Sequence, residues 1–163
     1  MALSLWTVKL GVLAGLQNGQ GGAAGLLTEY ADIVQPGLPV EIPPIAKSRR
    51  VYVLVVPGYT PSPLYGPSAE IRNEVYTIPI AVEVETRQTA PTDTGYQTAM
   101  GAMAALVAQM ETIQGADPSW GGTCNWSGFS VSAEATGPIA DQDGGGGWLS
   151  KALLQLHIKT LGN

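Results

Sequence analysis

Four consecutive glycines, then a serine and a lysine, stand in Asp141-Gln142-Asp143-Gly144-Gly145-Gly146-Gly147-Trp148-Leu149-Ser150-Lys151, and they invite a phosphate-binding reading. Glycines let backbone N–H groups close around an anion, and a nearby lysine would neutralise it. The spacing excludes that use. A P-loop needs glycine, four residues, then Gly-Lys-Ser/Thr between a strand and a helix. Here Lys151 follows a serine, precedes an alanine and sits in an alternating run that reads as a strand. The same strand leaves a dinucleotide-type glycine loop without the helix N-terminus that would hold a pyrophosphate. Asp141 and Asp143 would repel phosphate, and with loop carbonyls they make too thin a ligand set for calcium.

The other reactive residue types are as sparse. His157 is the only histidine and Cys124 the only cysteine. A lone cysteine makes no intrachain disulfide or cysteine-based zinc site, and it fits a reducing, intracellular setting. His157 lies in an alternating run and reads as a strand surface residue. A Cys–His nucleophilic pair would rest on coincidence. Glu83 and Glu85 stand two apart on one strand face and resemble paired carboxylates, but Val-Glu-Val-Glu is also the ordinary pattern of a half-exposed strand. The expectation is a protein without enzymatic activity, cofactor or metal.

Composition bounds what else the chain can be. Its 163 residues favour one domain with a real core. Charged residues make up 13% of it, about half of the usual share for a soluble domain. Much of the surface must then be neutral, as in a subunit that hides area against neighbours or in a small, loop-rich monomer. The net charge of −5 argues against a general nucleic-acid binder. Only Lys47, Arg49 and Arg50 cluster, and they read as a solvated flank of a strand. In Met1–Leu16, Lys9 sits within the apolar run rather than ahead of it, unlike a signal peptide. The run is too short to span a bilayer, so no membrane role is expected.

The elements follow from periodicity. Leu5/Trp6, Lys9/Leu10, Leu13 and Leu16 predict a first helix with one apolar face, ended by the glycines of residues 17–25. The proline-rich residues 35–44 must be extended or turning. "RVYVLVV" at 50–56 is apolar on both faces and predicts a strand covered twice. Residues 57–68 carry four prolines and read as a long loop. From 71 to 86, Tyr76, Ile78, Ile80, Val82 and Val84 alternate onto one face, with Pro79 suggesting an edge or a bulge. After Pro91-Thr92-Asp93, a helix carries Tyr96, Met100, Met103, Leu106 or Val107, Met110 and Ile113 at helical spacing.

The other face of that helix holds Gly101, Ala102, Ala104, Ala105 and Ala108, and no charge falls between Asp93 and Glu111. Such a face suits either a groove of its own domain or a subunit contact. Phe129, Val131 and Ala133 alternate in the next strand, and Trp148 to Lys159 form the last. The glycine segment joins those two as a hairpin. The result is one α+β domain, an antiparallel or mixed sheet packed against one major helix with an additional N-terminal helix, in the order α-β-β-α-β-β. Flexible loops are expected near 57–70 and 136–147.

The N-terminal helix, "RRVYVLVVPG", "EVYTIPIAVEVET", the helix "TDTGYQTAMGAMAALVAQM" and the closing strand "WLSKALLQLHIKT" together resemble the tail terminator (tail completion) proteins of long-tailed bacteriophages. The resemblance is one of layout over most of the chain and rests on no short motif. It implies a virion protein, assembled in the host cytoplasm into a ring, as a hexamer, that caps the tail tube. Its partners would be the tail tube protein and a head-side neck or connector protein. DNA would pass through the lumen as cargo without sequence-specific contact, a passage that an acidic chain suits. On that reading Glu83 and Glu85 face the lumen, and Gly101, Ala104, Ala105 and Ala108 form the contact between subunits. Tyr59, Leu64, Tyr65, Gly145 and Gly146 contact other proteins, and Gly144 to Gly147 order when a neighbour packs on them. The alternatives are another neck, connector or tube subunit, or a small non-viral binding module that uses its proline-rich loop.

Overall fold

The computed structural model describes residues 5–37, 49–54, 62–65, 72–88, 93–140 and 146–162. In chain order these form α1 (Leu5–Asn18), β1 (Gly19–Gln20), β2 (Ala23–Ala24), α2 (Leu26–Glu29), β3 (Ile33–Pro36), β4 (Arg49–Val53), β5 (Ser62–Tyr65), β6 (Arg72–Gln88), α3 (Asp93–Ala116), β7 (Trp126–Ala140) and β8 (Gly146–Gly162). The architecture is α+β. A mixed sheet runs β3-β4-β6-β8-β7, with β5 pairing off this path onto β6. The long helix α3 packs on it, with α1 beside. Among the described strands only β3 and β4 pair in parallel. Beyond the six elements expected, the sequence folds the short β1, β2, α2, β3 and β5.

One cluster forms the core. Val8, Val12 and Leu16 of α1 and Met103, Leu106, Met110 and Ile113 of α3 meet Ile78, Ile80, Val82 and Val84 of β6 and Leu154, Leu156 and Ile158 of β8. Strand alternation therefore sends one set of side chains to the helices and leaves a second sheet face without a described helix. The inward face of α1 is the expected one only in part, for Leu16 is buried and Leu13 packs against the core. Val8, Val12 and Leu16 are buried, while Trp6 and Leu10 are exposed. The helix is apolar on two sides, so its own periodicity does not choose between them. On α3 the stripe shifts too: Ala99 is buried and Met100 exposed.

β6 and β8 pair over 17 residues in unbroken antiparallel register. Strands of that length reach about 55 Å, against about 36 Å for the 24 residues of α3. β6 is thus a central strand, and Pro79 marks neither an edge strand nor a bulge. Its carbonyl accepts from the Leu54 N–H at 2.8 Å, just past the end of β4. N–H and C=O of one strand residue point to the same side, so the donor that proline lacks would face the Leu54 carbonyl, and the β4–β6 ladder ends at that half-made pair.

The bulge lies in β7 instead, where the register shifts between Val131 and Ala133. Ser132 is the extra residue, and its Oγ donates to the Leu153 carbonyl at 3.0 Å. Phe129 and Val131 pair with Leu156 and Leu154 on the helix side; beyond the bulge that side passes to Glu134 and Thr136, opposite Ala152 and Ser150. The expected alternation of Phe129, Val131 and Ala133 is therefore broken at Ala133.

The hairpin is longer than the glycines suggest. Residues 136–140 belong to β7, and Gly146 and Gly147 to β8, where Gly147 pairs with Arg87 on one side and Ile139 on the other. Those two glycines are ladder residues rather than slack, held by a strand on each flank. Gly144 and Gly145 lie outside the described residues, as do Asp141 and Asp143.

Between α3 and β7 the chain ties a compact knot. Asp117 accepts from the Ser119 Oγ at 2.6 Å, the Ser119 N–H at 3.0 Å and the Gly121 N–H at 2.8 Å. The Ser119 hydroxyl, foremost among these donors, holds its carboxyl below the usual carboxylate range. Trp120, Gly121 and Gly122 all take positive φ, Trp120 at 51°. Such a backbone costs a non-glycine residue roughly 1–2 kcal/mol. The indole offsets it by plugging the core, 1% exposed. Gln20 of β1 caps the end of α3 from the other side, its Nε2 donating to the carbonyls of Ile113 and Asp117.

Candidate functional site

The described side chains with reactive chemistry are placed where they hold structure. Arg50 is not a solvated flank but 6% exposed. Its Nε and Nη2 both reach Oε2 of Glu83, and Nη1 reaches Oε2 of Glu85, each at 3.1 Å. Lys151 Nζ stands 3.7 Å from Glu83 Oε1. The register causes this, since Arg50 lies directly across from Glu83 and Glu83 across from Lys151. Glu83 and Glu85 do share the sheet face that carries no described helix, but their charge is met locally by Arg50. Arg49 is also engaged, its Nη1 donating to the Glu29 carbonyl at 2.7 Å and its Nη2 3.5 Å from Asp32 Oδ1. Lys47 lies outside the described residues.

On the same face a row of polar side chains crosses three strands. His157 Nε2 lies 2.8 Å from Ser130 Oγ, and Nδ1 lies 3.3 Å from Thr77 Oγ1. A serine beside an imidazole is the first half of a nucleophilic dyad. The second half differs: Nδ1 meets a threonine hydroxyl rather than the carboxylate that would stabilise an imidazolium. The row holds β6, β8 and β7 in register.

Cys124 is buried, its Sγ 3.5 Å from the carbonyls of both Pro118 and Ser119. Burial pushes its thiol up to about 11. A rise from 9.0 to about 11 lowers the thiolate fraction near neutral pH about a hundredfold. Iodoacetamide at pH 7.5 should therefore alkylate the folded protein at least about a hundredfold more slowly than the urea-unfolded chain. Mass spectrometry over time would check this, and equal rates would place Cys124 at the surface. Among the described residues no three His, Cys, Asp or Glu side chains gather as a metal site, and no helix is long and apolar enough to cross a membrane.

The feature with the form of a site is the outer flank of α3. Gly101, Ala104, Ala105 and Ala108 are all exposed, so the helix turns its small residues outward while Met103, Leu106, Met110 and Ile113 anchor it to the sheet. Between this flank and the edge strand β7 runs a groove of about 320 Å³. Met100, Met103, Ala104, Val107 and Ala108 form its helical wall, and Thr136 and Ser150 line its other side. Those two hydroxyls hydrogen-bond each other at 2.9 Å. Glu111 and Glu134 stand at the groove and are exposed. Small helix residues facing small and polar strand residues leave the volume unfilled, and the bulge at Ser132 is what brings Glu134 and Thr136 to this side.

The remaining expected contact residues fall elsewhere. Leu64 and Tyr65 belong to β5, paired with Asn73 and Arg72 of β6, so part of the expected 57–70 loop is strand. Gly146 opens β8, and Tyr59 and Gly145 lie outside the described residues. Sequence reasoning missed the strand side of the groove, for which the only signal was the run of Ser, Glu and Thr in 130–136. Neither a protein-family model nor a curated protein matches this chain.

Proposed function

We propose that this chain is a structural subunit of a long-tailed bacteriophage, a tail terminator whose copies close into a ring that caps the tail tube and joins it to the head, with DNA passing through the lumen. The observation that carries the reading is the exposure of Gly101, Ala104, Ala105 and Ala108 along a helix without charge between Asp93 and Glu111, beside an open apolar groove. A flank of that kind is costly to leave in water and suited to close approach of another chain. A ring needs a heterologous contact, in which one patch meets a different patch on the next subunit. The charge content of 13% supports the same reading.

Electron microscopy of the purified protein tests it. Closed sixfold rings are the expected result; long tubes would make the chain a tube subunit, and single particles at high concentration would favour a monomeric binding module. Ala104→Glu or Ala105→Glu should abolish the rings while leaving the fold intact within about 0.5 kcal/mol, since both positions are exposed. Size-exclusion chromatography with light scattering, beside a urea titration, reads both quantities. Rings that survive both substitutions would remove this flank from the interface.

A further inference from the structure

The ring reading leaves open what enters the α3 groove. We infer that the occupant is a second copy of this chain, which inserts the Trp6–Leu10 ridge of its α1 between α3 and β7. The inference rests on the ring reading and adds to it the identity of the second patch.

Two unmatched apolar features stand on the surface of the molecule. The groove lies along the β7 edge, where α3 packs over β6, β8 and β7. α1 packs over β3, the strand at the other end of the sheet. Trp6 and Leu10, one helical turn apart, are 60% and 46% exposed there. An exposed indole and isobutyl group on one helix form a ridge, and a wall of two methionines, a valine and two alanines forms a matching apolar slot. The ridge and the groove are built from different elements, and no residue of α1 lines the groove. Between chains they meet head to tail, and each contact leaves one ridge and one groove free for the next subunit.

Charge agrees with shape. Lys9 is the only charged residue of α1. It is 6% exposed, its ammonium 5.6 Å from the Trp6 ring centroid, and no carboxylate pairs with it among the described residues. A covered cation without a carboxylate is unfavourable until one arrives. The groove also carries Lys151, whose ammonium stands 3.7 Å from Glu83, whereas Glu111 and Glu134 are exposed and without an ion pair among the described residues. Seating Trp6 in the groove brings the one cation of α1 toward those two carboxylates.

The test uses two variants with changes only at exposed positions. Trp6→Ser/Leu10→Ser removes the ridge and keeps the groove; Ala104→Glu blocks the groove and keeps the ridge. Each alone should be monomeric by sedimentation velocity. Mixed, they should form a one-to-one dimer and nothing larger, because only one intact ridge–groove pair remains. Glu111→Lys/Glu134→Lys in the ridge-less chain should weaken that dimer at least tenfold. Rings that persist in Trp6→Ser/Leu10→Ser, or two monomeric variants that do not pair on mixing, would overturn this contact while the ring reading stands. A wild-type chain that forms no ring would overturn both.

Discussion

Trp120→Ala should lower the stability of the fold by about 3–5 kcal/mol, the range for truncating a fully buried aromatic residue. The indole is 1% exposed and joins three parts of the molecule. It meets Phe129 of β7 edge-to-face, with centroids 6.4 Å apart. Its Nε1 donates to Ser127 Oγ at 2.9 Å, and that hydroxyl donates onward to the Pro118 carbonyl at 2.8 Å. Against α1 the fit is close enough that a Cβ on Gly15 would stand 2.8 Å from Trp120 Cε3. Removing the ring opens a cavity where α1, the 117–125 turn and β7 meet. A melting temperature lower by roughly 6–20 °C is expected, at about 2–4 °C per kcal/mol for a chain of this size. Trp120→Phe should cost less, because it keeps most of the volume and Ser127 retains Pro118 as its acceptor. A loss below 1 kcal/mol for the alanine variant would show that the turn closes over the space.

Arg50→Ala should cost about 3–5 kcal/mol by a different route, the breaking of a buried ion pair from one side. The guanidinium holds Glu83 and Glu85 together, and their side chains are 24% and 11% exposed. Without it two carboxylates two residues apart share one sheet face, with the largely exposed Lys151 3.7 Å from Glu83. Arg50→Lys should recover only part of the loss, because a point charge does not reproduce the fork that reaches both carboxylates. Arg50→Met with Glu83→Gln and Glu85→Gln should recover more, since the triple change removes the charges as well as their partner. Urea titrations of the three variants would rank them, and equal stability of Arg50→Ala and wild type would refute the cluster. For the proposed ring, a lumen reached by Glu83 and Glu85 is lined by neutralised rather than free carboxylates. Repulsion of passing DNA would have to come from other residues.

Much of the fold was legible because strand and helix periods are local. Ile78, Ile80, Val82 and Val84 alternate without interruption and face the core as their spacing predicts. Ala152, Leu154, Leu156 and Ile158 do the same in the neighbouring strand. The small, uncharged flank of α3 was equally plain, because a helix that presents glycine and alanines every three or four residues can only do so along one side. Other residues have types that do not decide their place. Trp6 and Trp126 are exposed, Trp120 is buried and Trp148 is half-buried, edge-to-face with Tyr96 at 5.2 Å. All four look alike in the sequence. α1 offers two apolar stripes, and which one turns inward depends on what packs beside it.

The sequence by itself determined the class of the fold, its long central strands, its major helix and its low charge, because each follows from residue spacing within one element or from composition. Tertiary structure alone decided that Arg50 pins Glu83 and Glu85, since strand register sets those neighbours across 33 and 35 residues of chain. It also decided the groove. A one-residue bulge at Ser132 reverses which side chains of β7 face α3, and the side-chain period of two turns that local irregularity into an exchange of faces over the rest of the strand.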